Sequence, residues 1–320
     1  KGKEEILSGL IEDSEDTCLT GCGSSYYLGL SGSTLLNEAA NAYAFPGSEI
    51  FISPNGFPDV DIDLVIPISR SGESTETVKA IDYLRDKYPN SQTLGITCTE
   101  DSALDKKSDV SIVSRKGEEE SVVMTKSFSS MLVSLQYLGK LNSGEREVFK
   151  EFDGLWKDTE KVLERAEKTA KTIGSNTELE RFVFLGPGEL YGPASESMLK
   201  MEEMTLSWSK VYHPLEFRHG PKSVADENTL VTLLLPDRKT DIFKKLADDI
   251  KDLEAEILTV GTEETLQRIE SDHEILIPDR ENGTGLSLYM PAAQMIGYYR
   301  ATEIGMNPDD PKNLTQVVKI

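Results

Sequence analysis

Short apolar runs alternate along the chain with longer stretches whose apolar residues recur every three or four positions. Runs at Thr17–Leu19, Glu49–Ile52, Leu64–Ile68, Thr93–Thr97 and Val110–Val113 read as strands, and helical spacing marks Ser31–Ala44, Thr75–Lys87 and Phe128–Leu141. A second series follows, with strands at Arg181–Leu185, Leu230–Leu235, Glu256–Val260 and Glu274–Ile277 and helices at Ile242–Leu253 and Leu286–Ile304. Such alternation predicts an α/β fold of mostly parallel sheets sandwiched by helices. Between the series, Gly144–Ile173 is charged and helical and is expected as an interdomain helix, with Trp156 as a packing anchor. The expected organisation is an N-terminal domain at 1–143, that helix at 144–175, a C-terminal domain at 176–305 and a tail at 306–320.

The two series look like diverged copies of one unit. FVFLGPGELYGPASESMLK stands in the second where CLTGCGSSYYLGLSGSTLL stands in the first, each a strand, a glycine turn and a helix. In the first copy Gly21–Ser25 ends a strand and opens a helix, and Ser69–Ser74 repeats that arrangement after the strand at Leu64–Ile68. Hydroxyls and orphan backbone amides at two helix N-termini favour an anion, and serines beside glycine are also ordinary caps. Together, at carboxyl ends of strands, they point to a phosphate site. The second copy lacks the serines, so one phosphate site per chain is expected.

Tyr191–Pro221 carries a different chemistry. A helix is predicted from Pro193, with Met198, Leu199, Met201 and Met204 on its core side and Glu196, Lys200 and Glu203 sharing a face. Those charges and His219, in the turn before Gly220–Pro221, supply a candidate acid, base and charge partner. The plain reading of the same residues is a solvated salt-bridge ladder and a loop histidine. Trp208 is expected to pack under this helix.

Composition narrows the partners. The 320 residues hold 34 Lys plus Arg against 56 Asp plus Glu, a formal net charge of -22. That surface repels nucleic acid and anionic lipid, so an anionic substrate needs a local positive site. Cys18, Cys22 and Cys98 form no CxxC pair, which suits a reducing compartment, and Cys22 reads as a small buried side chain. No apolar run is long enough for a membrane span, so a cytoplasmic protein is expected. The first residue is not methionine, so the numbering is expected to start within a longer chain. His213 and His273 have no partners at metal-ligand spacing, and no metal or cofactor is expected.

GCGSSYY, SRSGEST, VVMTKSF, ESMLKMEEM, LEFRHGP and DDPKNL, in this order, resemble the sugar isomerase (SIS) domain family over nearly the whole chain. More closely they resemble the isomerase half of glucosamine-6-phosphate synthase and stand-alone glucosamine-6-phosphate deaminases. The resemblance implies two tandem SIS domains of flavodoxin-like fold. It places Ser25, Ser69, Ser71 and Ser74 on a substrate phosphate, with Arg70 where the synthases have glutamine, and Thr125 on sugar hydroxyls. Lys126 beside it is a scaffold charge or a ligand. Glu203 matches the base that moves a proton between sugar C1 and C2, His219 the residue that opens the ring, and Glu196 and Lys200 supporting positions. In that family the histidine loop reaches the neighbouring subunit, which implies a homodimer with shared sites.

One departure bears on the reaction. The synthases carry a Schiff-base lysine in the fourth place of a motif beginning Asn-Leu, where this chain has Gln316 after Asn313, Leu314 and Thr315. An amide forms no imine, and no glutamine-hydrolysing domain is expected within this length. Deamination of glucosamine 6-phosphate to fructose 6-phosphate and ammonia is therefore the expected activity. A phosphosugar isomerase that moves no nitrogen and a phosphosugar-binding regulator are the alternatives.

Overall fold

A computed structural model describes residues 2–37, 40–56, 60–144, 147–237, 241–280 and 283–315. The chain forms two compact units, one built from the residues up to Glu120 and from Met124–Phe152, the other chiefly from Asp153–Leu314. In the first, α1 (Gly2–Glu12) leads into β1 (Asp16–Gly21), α2 (Ser24–Leu36), β2 (Asn41–Pro46) and α3 (Gly47–Ile52). Then come β3 (Leu64–Ser69), α4 (Thr75–Lys87), β4 (Gln92–Thr97), α5 (Ala103–Lys107), β5 (Val110–Val113) and α6 (Lys126–Asn142). Among the described residues the strands form one parallel sheet in the order β2-β1-β3-β4-β5. The central strand β3 is buried throughout, as a strand covered by helices on both faces must be. Cys18 of β1 packs with Ile50 of α3 and Ala80 and Leu84 of α4. Its neighbour Leu19 faces the other way, towards Gly32 of α2 and Leu135 of α6.

Two expectations are corrected here. Glu49–Ile52 is helical, within α3, and the strand lies at Asn41–Pro46, beginning inside the stretch expected to be helix. The cause is local: Asn37 ends α2 by accepting from the Ala42 N–H at 2.7 Å and donating to the Ala42 carbonyl at 3.1 Å, which turns the chain into β2.

The second unit opens with α7 (Leu155–Gly174), β6 (Arg181–Leu185), α8 (Tyr191–Thr205), β7 (Trp208–Tyr212) and α9 (Pro214–Phe217). It continues through β8 (Thr229–Leu234), α10 (Asp241–Lys251), β9 (Glu256–Gly261), α11 (Glu263–Leu266), β10 (His273–Leu276) and α12 (Met290–Glu303). Its parallel sheet runs β7-β6-β8-β9-β10, the same 2-1-3-4-5 order as the first. The repeat extends to single bonds. Asp109, just before β5, accepts from the Thr93 N–H of β4 at 2.8 Å, and Asp272, just before β10, accepts from the Ile257 N–H of β9 at 2.8 Å. At the same edge of the first sheet Asp63 accepts from the N–H groups of Glu15 and Asp16 at 3.0 and 3.1 Å.

From Asp153 the charged stretch before β6 belongs to this second unit. A buried stripe of Val162, Ala166, Ala170 and Ile173 lays α7 on α12. Trp156 is not the expected anchor: it is 62% exposed, and Leu155 takes the inward place. Trp208 is likewise corrected. It is 40% exposed at the start of the unanticipated edge strand β7, with the Lys210 ammonium 5.9 Å from its ring. Among the described residues no helix is long and apolar enough to cross a membrane.

Candidate functional site

In a 2-1-3-4-5 sheet the order of strands reverses between the first and third, and the crevice beyond their carboxyl ends is the usual ligand site. The two serine turns stand there, after β1 and β3. They are pressed together at Gly21, where an added Cβ would lie 2.7 Å from the Ser25 backbone carbon and 2.9 Å from the Ile68 carbonyl oxygen. Ser24 and Ser25 open α2 and are buried. In the second turn Ser69 accepts from the Gly72 N–H at 3.1 Å and sits 3.3 Å from the Ser74 hydroxyl, while Ser71 accepts from the Glu73 N–H at 3.2 Å. Gly72 is needed twice over: its φ is +67°, and a Cβ would strike the Ser102 hydroxyl. Ser69, Ser71 and Ser74 are thus gathered in one turn, with Ser25 on its neighbour.

Arg70 lies in that turn with its carbonyl fixed by the Cys98 N–H at 3.0 Å and the hydroxyls of Thr97 and Thr99 at 3.1 and 3.3 Å. Its guanidinium is 3.8 Å from the carboxylate of Glu119, both side chains being about nine-tenths buried. Glu119 also accepts from the Thr125 N–H at 3.1 Å, the Thr125 hydroxyl at 2.8 Å, the Lys126 N–H at 3.0 Å, and the Ser127 N–H and hydroxyl. Thr125 and Lys126, at the start of α6, are therefore joined to Arg70 through a residue that sequence reasoning missed. The only signal for Glu119 was its place in the run GEEES, which reads as solvated. Burial, with Glu119 adding to it and Arg70 opposing, pushes the Cys98 thiol up to about 11, so Cys98 stays protonated at neutral pH. Cys22 is only partly buried, its sulfur 3.6 Å from the Thr77 hydroxyl.

On α8 the solvated ladder is overturned. Glu196 and Lys200 are fully buried and Glu203 is 19% exposed. The Lys200 ammonium lies 3.0 Å from one Glu196 oxygen and 2.6 Å from one of Glu203. Desolvation pulls the Lys200 pKa down, but the charges of Glu196 and Glu203 outweigh it and the result is raised, so the ammonium is held charged. The helix buries this face because Met201 and Met204 bury with it, while Met198 is only partly covered. Next to the triad, burial and the charge of Glu203 raise the Glu202 carboxyl against the opposing pull of Lys210. His219 lies in the exposed turn between α9 and the short 3-10 helix at Pro221–Val224.

The equivalent crevice of the second sheet is flanked by acidic residues. There burial raises the pKa of the Tyr289 phenol, and the charges of Asp237, Glu189 and Asp279 push it further. A phosphate would be repelled from such a place. His273 pairs with Glu256 at 3.0 Å, at the other edge of the sheet. Gln316 lies outside the described residues.

Comparison with known proteins gives the family. Residues 10–140 match the SIS domain model. The chain belongs to the SIS domain family. Among solved structures it is similar to the glucosamine-6-phosphate deaminase of Thermotoga maritima, with 31% identity, a TM-score of 0.82, and coverage of 99% of this chain and 97% of that one. It is 28% identical to the glutamine–fructose-6-phosphate aminotransferase (isomerizing) of Aquifex aeolicus, over 99% of this chain and 54% of that protein. The chain thus spans about half the length of the curated relatives it matches. The tagatose-6-phosphate ketose/aldose isomerase of Escherichia coli shares the fold, with a TM-score of 0.81 at 23% identity over 96% of this chain and 88% of that one.

Proposed function

We propose that this chain is a phosphosugar isomerase that deaminates its substrate, converting glucosamine 6-phosphate and water to fructose 6-phosphate and ammonia. The observation that carries the proposal is the triad on α8, in which a buried, charged Lys200 pins the one carboxylate of the three residues that keeps access to solvent, Glu203. In this reading Ser25, Ser69, Ser71 and Ser74 with Arg70 hold the phosphate, Thr125 meets a sugar hydroxyl, and His219 assists ring opening. Glu203 takes the proton from C2 of the open aldehyde as O1 gains one, giving an enolamine, and returns it to C1 as the nitrogen gives up a proton to solvent, giving a ketimine. Water adds to that C=N bond and ammonia leaves. Lys200 pairs with the charge of Glu203 and keeps it in place, and Glu196 in turn holds Lys200. Gln316 supports release of nitrogen over its transfer, because it forms no imine with a ketose, and the end-to-end similarity to the Thermotoga deaminase supports it too. The family resemblance and the exposure of His219 support a homodimer in which His219 serves the neighbouring site.

The test is an assay of the purified protein with glucosamine 6-phosphate, reading ammonia and fructose 6-phosphate together. Both should appear in equal amounts, and Glu203→Gln should lower kcat by about a hundredfold or more. Solvent deuterium entering the sugar without ammonia would leave an isomerase and remove the deaminase. A bound phosphosugar with no exchange at all would leave a binding protein.

A further inference from the structure

We infer that Glu119 is a positioning residue for the phosphate turn, holding the Arg70 guanidinium ready for the anion and tying that turn to the start of α6. The inference rests on the reading of Ser69–Ser74 as a phosphate site. Its starting point is an anomaly of burial. Glu118 and Glu120 are exposed, as a run of acids should be, while the Glu119 side chain between them is only 8% exposed. A carboxylate leaves water only against strong compensation. Glu119 has it, from three backbone N–H groups at the first turn of α6, from the hydroxyls of Thr125 and Ser127, and from Arg70.

This is more than a helix cap. Glu119 does serve the start of α6, since Thr125 at the N-cap makes no side-chain capping bond and donates its hydroxyl to Glu119 instead, but it reaches across six to eight residues where a capping-box carboxylate spans three. The extra element is the guanidinium. Arg70 is anchored at both ends, its carbonyl by Cys98, Thr97 and Thr99 and its side chain by Glu119. An arginine fixed in this way has given up most of its rotamer freedom before a phosphate arrives, so less is lost on binding. With the carboxylate gone, a cation only 10% exposed would stand without its charge partner and would turn to another orientation.

A double-mutant cycle separates this role from simple support of α6. The Kd of glucosamine 6-phosphate by calorimetry, in a Glu203→Gln background that prevents turnover, and KM and kcat with Glu203 intact are compared for wild type, Glu119→Gln, Arg70→Gln and the double variant. Glu119→Gln should raise Kd and KM about three- to tenfold with kcat nearly unchanged, and in the Arg70→Gln background it should change them by less than about twofold. An equal rise in both backgrounds would overturn the inference, assigning Glu119 to the helix alone, and so would an unchanged or lower Kd in Glu119→Gln. Should Glu119→Gln fail to fold, Glu119→Asp, which keeps the charge but withdraws it by one methylene, carries the same comparison. A wild-type protein that binds no phosphosugar would overturn the phosphate reading itself, an outcome distinct from either of these.

Discussion

Lys200 concentrates the energetic risk of the molecule in one side chain. Removing one member of a buried ion pair costs about 3–5 kcal/mol, because the partner is left as an uncompensated buried charge. Lys200→Met should therefore destabilise the protein by about that amount in denaturant unfolding, with Glu196 as the stranded group. The pH dependence has a definite sign. A lysine raised above its ordinary 10.5 contributes stability that is complete below that value and is lost as pH rises through the folded pKa. Melting temperatures of wild type and Lys200→Met should keep a constant gap from pH 7 to 9 and converge above about pH 10.5. The spacing of Glu196, Lys200 and Glu203 was legible in the sequence, since a 3.6-residue period puts them on one face. Their burial was not, because nothing in three charges says which way the face turns. Glu119 is the same lesson in stronger form: its five donors come from residues whose approach depends on the path of a whole loop.

At the scale of elements, the proposed recognition of phosphate depends on the turn after β3. Gly72→Ala would put a side chain at φ +67° and against Ser102, strain of about 1–2 kcal/mol from the backbone alone. It should raise KM for the phosphosugar at least tenfold while Gly9→Ala, where a Cβ meets nothing within 4 Å, leaves KM unchanged. Strands buried on both faces were readable as apolar runs, and β3, β4, β6, β8 and β9 all lie where such runs stood. Of the edge strands, β5 and β10 were readable too, but β2 and β7 were not. The apolar residues of NAYAFP continue those of the helix before it and WSKVY is broken by Ser209 and Lys210, each strand is covered unevenly, and their pairing with β1 and β6 is a property of the sheet that receives them. Likewise FIS beyond Ile50 looks extended by composition, yet only Ile50 of that short helix is pinned in the core.

At the scale of the whole molecule the duplicated topology was visible before any coordinates, because two strand–glycine–helix segments could be aligned by eye. What the alignment left out was the divergence of charge at the corresponding crevices, serine and amide in one sheet and Glu189, Asp237 and Asp279 in the other. The proposed exchange of His219 between subunits belongs to this scale and has a direct check. Glu203→Gln and His219→Ala chains, each inactive alone, should recover up to about a quarter of wild-type activity per site when unfolded together and reassembled at equal amounts, the statistical share of intact sites. No recovery in mixed dimers verified by mass would place both residues in the same subunit's site.

The aspartate clamps carry a consequence for how such a chain can change over generations. Asp63, Asp109 and Asp272 secure the entering edge of each sheet, whereas the serine turns occupy the opposite edge of the first. Determinants of assembly and the proposed determinants of ligand choice are thus written at opposite ends of the same strands. Substitutions can accumulate in the leaving loops, and new sugars can be tried there by nature or by a mutant library, without rewriting the instructions that put the strands in order.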